Sequence, residues 1–322
     1  MPTNTEIDAF LEQAPIFLQA WWLEAVAPGQ WEYLLVRSKG ALTAAMPVSK
    51  KLLFGWTFID PPKETPFIGP WLKITSQLPA KKFAEEKRLL LELIAALPRF
   101  GSFKQAFHPG ITNWLPFYWQ GFQQTTHYTY LFDNTDKLET IWAGMRENIR
   151  REINKARRDL RVEESTDFSA VMEMHKLTWH RQSIDFAPRE HVMFAVHEAC
   201  KRRGCCRSYV ARGRDGKMHA AAYFIWDATT LYYYIGGADS RLRNSGAGSL
   251  LVWKGIELAS RLGKKFDFEG SMHKPIERFF RAFGARQTPY FVISKNSTSA
   301  VPFLVQLIRR LKSQLKARQQ SL

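Results

Sequence analysis

Apolar positions change their period several times along the chain, and each change marks an element. Residues 6–26, EIDAFLEQAPIFLQAWWLEAV, follow a helical period. WEYLLVRS and ALTAAMPVSKKLL, separated by Lys39-Gly40, predict a β-hairpin, and WTFID predicts a further strand. The proline-rich PPKETPFIGPWL must be loop or sheet edge, because proline has no N–H for a ladder. AKKFAEEKRLLLELIAALP then predicts a long helix, and SFKQAFH and THYTYLFDN predict strands.

Residues 136–158 give the clearest helical period, with Leu138, Ile141, Trp142, Met145, Ile149 and Ile153 at spacings of three and four. The opposite face is basic: residues 146–161 hold seven Lys and Arg against three Asp and Glu. We read this segment as a helix linking two domains. The second part continues with a strand (LRVEES), two helices, a hairpin (CRSYVAR and MHAAAYFIW) and an aromatic strand (TLYYYIGGA). A glycine turn opens a helix reaching about Leu262. KKFDFEG predicts a buried strand, KPIERFFRAFG a short helix and TPYFVISK a last strand. The C-terminal VPFLVQLIRRLKSQLKAR predicts an amphipathic basic helix, expected to dock on the domains or to touch a membrane surface.

Composition narrows the class. A length of 322 residues with 45% hydrophobic residues suits two packed domains and argues against disorder. No apolar run is long enough to span a bilayer, and the acidic N-terminus does not read as a signal peptide. Cys200, Cys205 and Cys206 are an odd count without a disulfide framework, which fits a reducing cytoplasm. Together with His191 and His197 they match no standard zinc spacing, so no metal site is expected. Residues 1–140 carry 13 basic and 13 acidic side chains, so the whole net charge of +16 falls on residues 141–322. That asymmetry points to an anionic partner for the second part: a phosphate-bearing cofactor, a nucleic acid or a lipid surface.

Arg243-Asn244-Ser245-Gly246-Ala247-Gly248 has the spacing R-x-x-G-x-G, follows a strand and opens a helix. Glycines there let the backbone approach a pyrophosphate while the first helical amides, Ser249 included, point at it. A plain helix entry is the other reading, since small residues at turns need no function. No Lys-Ser/Thr pair follows, so the turn is not a nucleoside-triphosphate loop.

The order of hairpin, aromatic strand, R-x-x-G-x-G, helix, strand, helix and strand resembles the GNAT acyltransferase fold. The FemAB-like branch is the nearer match: MRENIRREINKARRDLRVEE looks like its basic helix, and FDFEGS followed by Phe280, Arg281, Phe283 and Gly284 looks like its signature. TPFIGPWL resembles a loop of its first domain. The resemblance implies a mixed α+β protein of tandem GNAT-like domains, each a mostly antiparallel sheet flanked by helices. On that reading residues 1–135 form a first domain without a cofactor motif, 136–158 the linking helix, 159–296 the domain with the acyl-coenzyme A motif, and 297–322 the final helix.

The resemblance further implies an N-acyltransferase. Acyl-coenzyme A would bind at Arg243–Ser249, and the acceptor would be an amine on a cell-envelope precursor or amino sugar. An aminoacyl-tRNA-dependent peptidyltransferase of peptidoglycan bridge synthesis is the rival enzyme, and a non-catalytic GNAT-fold binding protein is the third reading. Acyl transfer needs a base, oxyanion donors and a leaving group. Glu269, at the end of a strand, is the first candidate base, with a turn-capping role as its alternative; His273 and Tyr290 are further candidates. Gly236 and Gly237 would let substrate approach the backbone. Arg281 is a candidate contact for a phosphate or carboxylate, or a partner of Glu277 one helical turn earlier.

Overall fold

The computed structural model describes residues 4–53, 55–181 and 187–297. In chain order they form α1 (Asn4–Phe10), α2 (Ala20–Val26), β1 (Trp31–Ser38), β2 (Ala41–Leu53), β3 (Trp56–Ile59), β4 (Trp71–Leu72), α3 (Pro79–Ala95), β5 (Ser102–Ala106), α4 (Leu115–Trp119) and β6 (Gln123–Phe132). Then follow α5 (Leu138–Gly144), α6 (Glu147–Asp159), β7 (Leu160–Ser165), α7 (Phe168–Arg181), α8 (Ala187–Arg202), β8 (Cys206–Gly213), β9 (Met218–Trp226), β10 (Thr230–Ala238), α9 (Ala247–Arg261), β11 (Lys265–Asp267), α10 (Lys274–Arg281) and β12 (Arg286–Asn296). The chain divides into two compact units, 1–127 with 289–322 and 128–288. The division falls within β6 and β12.

In the first unit the strand order is β1-β2-β3-β5-β12, with β4 on β2. Only β3 and β5 run parallel in it. The Lys39-Gly40 turn has φ of 49° and 83°, both left-handed, as a two-residue hairpin requires. The helical period read over residues 6–26 is broken: Pro15 starts a 3₁₀ turn (Ile16–Leu18), and Gln19 is extended before α2. Proline disfavours a helical conformation in the residue before it and lacks the N–H a helix interior needs. The core gathers Val48, Leu89, Leu93, Phe103, Phe107 and Phe117.

In the second unit the order is β6-β11-β10-β9-β8-β7, antiparallel except for β10 with β11. Successive residues of β9 point to opposite faces. Phe224 faces the cluster formed by Ile149 and Ile153 of α6 and Leu251 and Ile256 of α9. Tyr223 faces the other side, against Phe168 of α7 and His197 of α8.

The single helix expected over 136–158 is two. Met145 is extended, Arg146 caps α6, and the Arg146 N–H donates to the Ala282 carbonyl (2.9 Å). The break admits the turn after α10: a Cβ on Gly284 would lie 2.6 Å from the Gly144 carbonyl oxygen. The amphipathic segment from 298 onward lies outside the described residues, which contain no helix long and apolar enough to cross a membrane.

Candidate functional site

The site begins where two parallel strands part. β10 and β11 pair over three residues, Thr230–Tyr232 with Lys265–Asp267. β11 then ends, while β10 continues to Ala238 through a register shift between Tyr233 and Ile235. Such a bulge bends a strand and redirects its groups. Beyond the pair lies a cleft of about 750 Å³, lined by the end of β10, the start of α9 and the segment from Phe268 to Phe280.

At its rim Ser240–Ser245 form a 3₁₀ turn capped by the Asp239 carboxylate, which accepts from the Arg241 N–H (2.9 Å) and pairs with its guanidinium (2.7 Å). Gly246 follows with φ 75°, and a Cβ there would lie 2.4 Å from the Glu152 carbonyl oxygen. Close packing against α6 therefore requires this glycine. Gly248 differs. Its φ is not in the left-handed region and a Cβ would meet nothing within 4 Å. Helix α6 buttresses the turn further: Lys155 Nζ donates to the Asn244 carbonyl (3.0 Å), and Ser249 Oγ donates to Glu152 Oε2 (2.6 Å). Arg243, exposed, and the Glu152 carboxylate both line this side of the cleft.

Glu269 and His273 line the same cleft. Glu269 has φ 59°, a costly conformation for a residue with a side chain, and Gly270 follows at φ 66°. The buried Asp267 carboxylate holds this turn, accepting from the Glu269 N–H (2.8 Å) and from Thr129 Oγ1 (2.5 Å). Burial pushes the Asp267 carboxyl up to about 7. Asp267 is invisible as a site residue in the sequence, because its partner Thr129 lies 138 positions away.

The two glycines of β10 have structural duties. A Cβ on Gly236 would lie 1.7 Å from the Tyr233 hydroxyl, and one on Gly237 would lie 2.3 Å from the Met174 backbone. Gly237 thus lets α7 lie directly on the strand, and both residues still line the cleft. His175 of α7 meets the Gly236 carbonyl at 3.3 Å, and burial lowers its imidazole to about 4. Thr178 and His219 also line the cleft, and neither was singled out by sequence spacing.

Two candidates lie elsewhere. Tyr290 belongs to the first unit, where its ring packs edge-on against Phe67 (5.0 Å) and near His127 (5.6 Å). Arg281 is half-exposed and pairs with Glu277 (2.8 Å), whose carboxylate also accepts from the Tyr130 hydroxyl (2.6 Å). Neither lines the cleft. Among the described residues no cluster of His, Cys, Asp and Glu could hold a metal ion.

A mostly antiparallel sheet with one splayed parallel pair, a bulged strand and a glycine turn opening a helix defines an acyltransferase-type domain. Residues 143–273 match the family model described as an acetyltransferase (GNAT) domain. By structure the chain is similar to FemX, with a TM-score of 0.65 at 14% identity over 90% of this chain and 96% of that one. It is also similar to the C-terminal domain of a protein assigned as a lysylphosphatidylglycerol synthetase from Agrobacterium fabrum (TM-score 0.52, 12% identity, 94% of each chain). A tandem GNAT protein from the clavulanic acid biosynthesis pathway matches with a TM-score of 0.50 at 12% identity, over 92% of this chain and 96% of that one. No curated protein matches the sequence. The chain therefore carries a GNAT domain in a fold shared with FemX and with a tandem GNAT protein, as its resemblance to the FemAB-like branch implied.

Proposed function

We propose that the second unit binds acyl-coenzyme A in the β10–β11 cleft and transfers its acyl group to an amine. Gly248 carries this reading. Glycine in the first turn of a helix costs up to about 1 kcal/mol relative to alanine, and neither its φ nor any neighbour in the fold demands it. Close approach of a ligand to the backbone supplies the missing reason. The first amides of α9 have no acceptor within the helix and suit a pyrophosphate, with Arg243 beside them. Ser249 contributes its amide, while its hydroxyl serves Glu152.

In this reading the acceptor amine attacks the thioester carbonyl, Glu269 takes its proton directly or through water, and the thiol leaves. His273 is the second group within the cleft that could move a proton. Backbone amides near the end of β10 face the developing oxyanion. The acceptor is a cell-envelope precursor or an amino sugar.

One observation favours an aminoacyl-tRNA donor instead: the net charge of +16 lies wholly in residues 141–322. Phosphate neutralisation makes such binding fall steeply with salt. Calorimetry with acetyl-coenzyme A separates the two donors. Saturable binding that Gly248→Glu abolishes is the expected result. A folded protein that ignores millimolar coenzyme A but binds charged tRNA at low salt overturns it.

A further inference from the structure

Helix α8 ends in a turn made by cysteines. Gly204 takes φ 60°, and the Cys205 N–H donates to the Cys200 carbonyl (3.1 Å) while Gly204 N–H donates to the Lys201 carbonyl (3.0 Å). This is the hydrogen-bond pattern of a Schellman cap, which stacks the residue after the glycine on the residue five positions earlier. An apolar pair usually fills that contact. Here it is Cys200, fully buried, and Cys205, partly exposed. The Cys205 thiol also donates to the Cys200 carbonyl oxygen (3.5 Å), which brings it close to the Cys200 side chain. Beneath them Tyr223 joins the cluster, with its hydroxyl 3.0 Å from His197 Nδ1.

We infer that Cys205 and Cys200 form a peroxide-oxidisable thiol pair, a modification site independent of the acyltransfer cleft. The backbone hydrogen bond between the two residues (3.1 Å) and the approach of the Cys205 thiol to the Cys200 carbonyl (3.5 Å) bring the pair within reach of a disulfide. The roles are unequal. Contact with Cys200 and the nearby Arg203 lower the Cys205 thiol, whereas Cys200 is raised by that same contact and by burial. Cys205 is the more exposed thiol of the pair and therefore the one that meets an oxidant. Its sulfur attacks hydrogen peroxide, breaking the O–O bond to give Cys205 sulfenic acid and hydroxide. The Cys200 sulfur then attacks the sulfenic sulfur and expels its oxygen as a second hydroxide, while the thiol proton returns to solvent. Two thiols and one peroxide become one disulfide and two waters. Cys206 stands outside the cap, with its backbone in the β8–β9 ladder opposite Ile225, and burial raises its thiol.

The test treats the full chain with hydrogen peroxide, alkylates the remaining thiols and maps the peptides by mass spectrometry. The expected product is an intramolecular Cys200–Cys205 disulfide with Cys206 alkylated, reversed by dithiothreitol. Cys206→Ser should form the same bond. Cys200→Ser should stop at a Cys205 sulfenic acid that dimedone traps. Should that variant not fold, Cys205→Ser should leave Cys200 unoxidised under the same treatment. Before oxidation, Cys205 should alkylate at neutral pH about tenfold faster than Cys206. A Cys205–Cys206 bond, an intermolecular bond, or three thiols still alkylatable after peroxide overturns the inference.

Discussion

Among the described residues each unit contains one parallel strand pair, and the two pairs end differently. In the first unit the chain returns to fill the space beside β5: Phe67 and Ile68 are fully buried, and the Ile68 N–H donates to the Ala106 carbonyl (2.7 Å). Gly69 lets that segment press on the Phe107 ring, which a Cβ would approach to 2.4 Å. In the second unit no described segment returns in this way. β11 stops at Asp267, and β10 borders an open cleft. The same strand arrangement is a plugged core in one case and borders an open cleft in the other.

Substitutions at glycines sharpen this contrast most. Gly237→Val should cost at least about 3 kcal/mol in urea unfolding, because rigid α7 backbone cannot yield. Gly69→Ala should cost about 1–3 kcal/mol by displacing the Phe107 ring, without changing coenzyme A binding. A loss of binding there would break the comparison. Gly246→Ala should cost about 2 kcal/mol, since both its φ and the Glu152 carbonyl oppose a side chain. Gly248→Ala should leave stability unchanged or raise it by up to about 1 kcal/mol, yet weaken coenzyme A binding about tenfold in calorimetry. Equal effects at both glycines would reduce the turn to a helix entry.

A smaller effect concerns pH. The Asp267 carboxyl rises from 3.8 to about 7 in the fold, so its stabilising contribution is complete below about pH 4 and is lost as pH rises through 7. Asp267→Asn stays neutral, so it should gain about 2 kcal/mol over the parent protein between pH 5 and pH 8. A pH-independent difference in melting temperature would sink that account. Smallest of all, Arg281→Ala should change stability by less than about 1 kcal/mol, as half-exposed ion pairs do.

Much of the fold was legible because its signals are local. The hairpin at Lys39-Gly40, the limits of β9 and β10 and the glycine turn all rest on neighbouring residues. What stayed hidden depends on distant partners. The break at Met145 answers to Ala282 and Gly284, and the need for glycine at 246 answers to Glu152. Glu152 itself reads as one charge on a polar helix face. Glycine at 236 and 237 suggested substrate access, whereas packing against Tyr233 and α7 suffices to require both. The TPFIGP segment read as a loop, and nothing in its composition says that it plugs a core.

If the α9 turn holds the proposed donor, the Glu152 carboxylate, fixed there by Ser249, sets its residence time. An anion seated on the α9 amides lies close to a negative charge it cannot displace without breaking that hydrogen bond. Attraction from Arg243 and the helix start is opposed at short range, so such a ligand departs sooner than from a cradle of cations alone. For a catalyst whose spent donor must leave before the next arrives, fast departure sustains the rate.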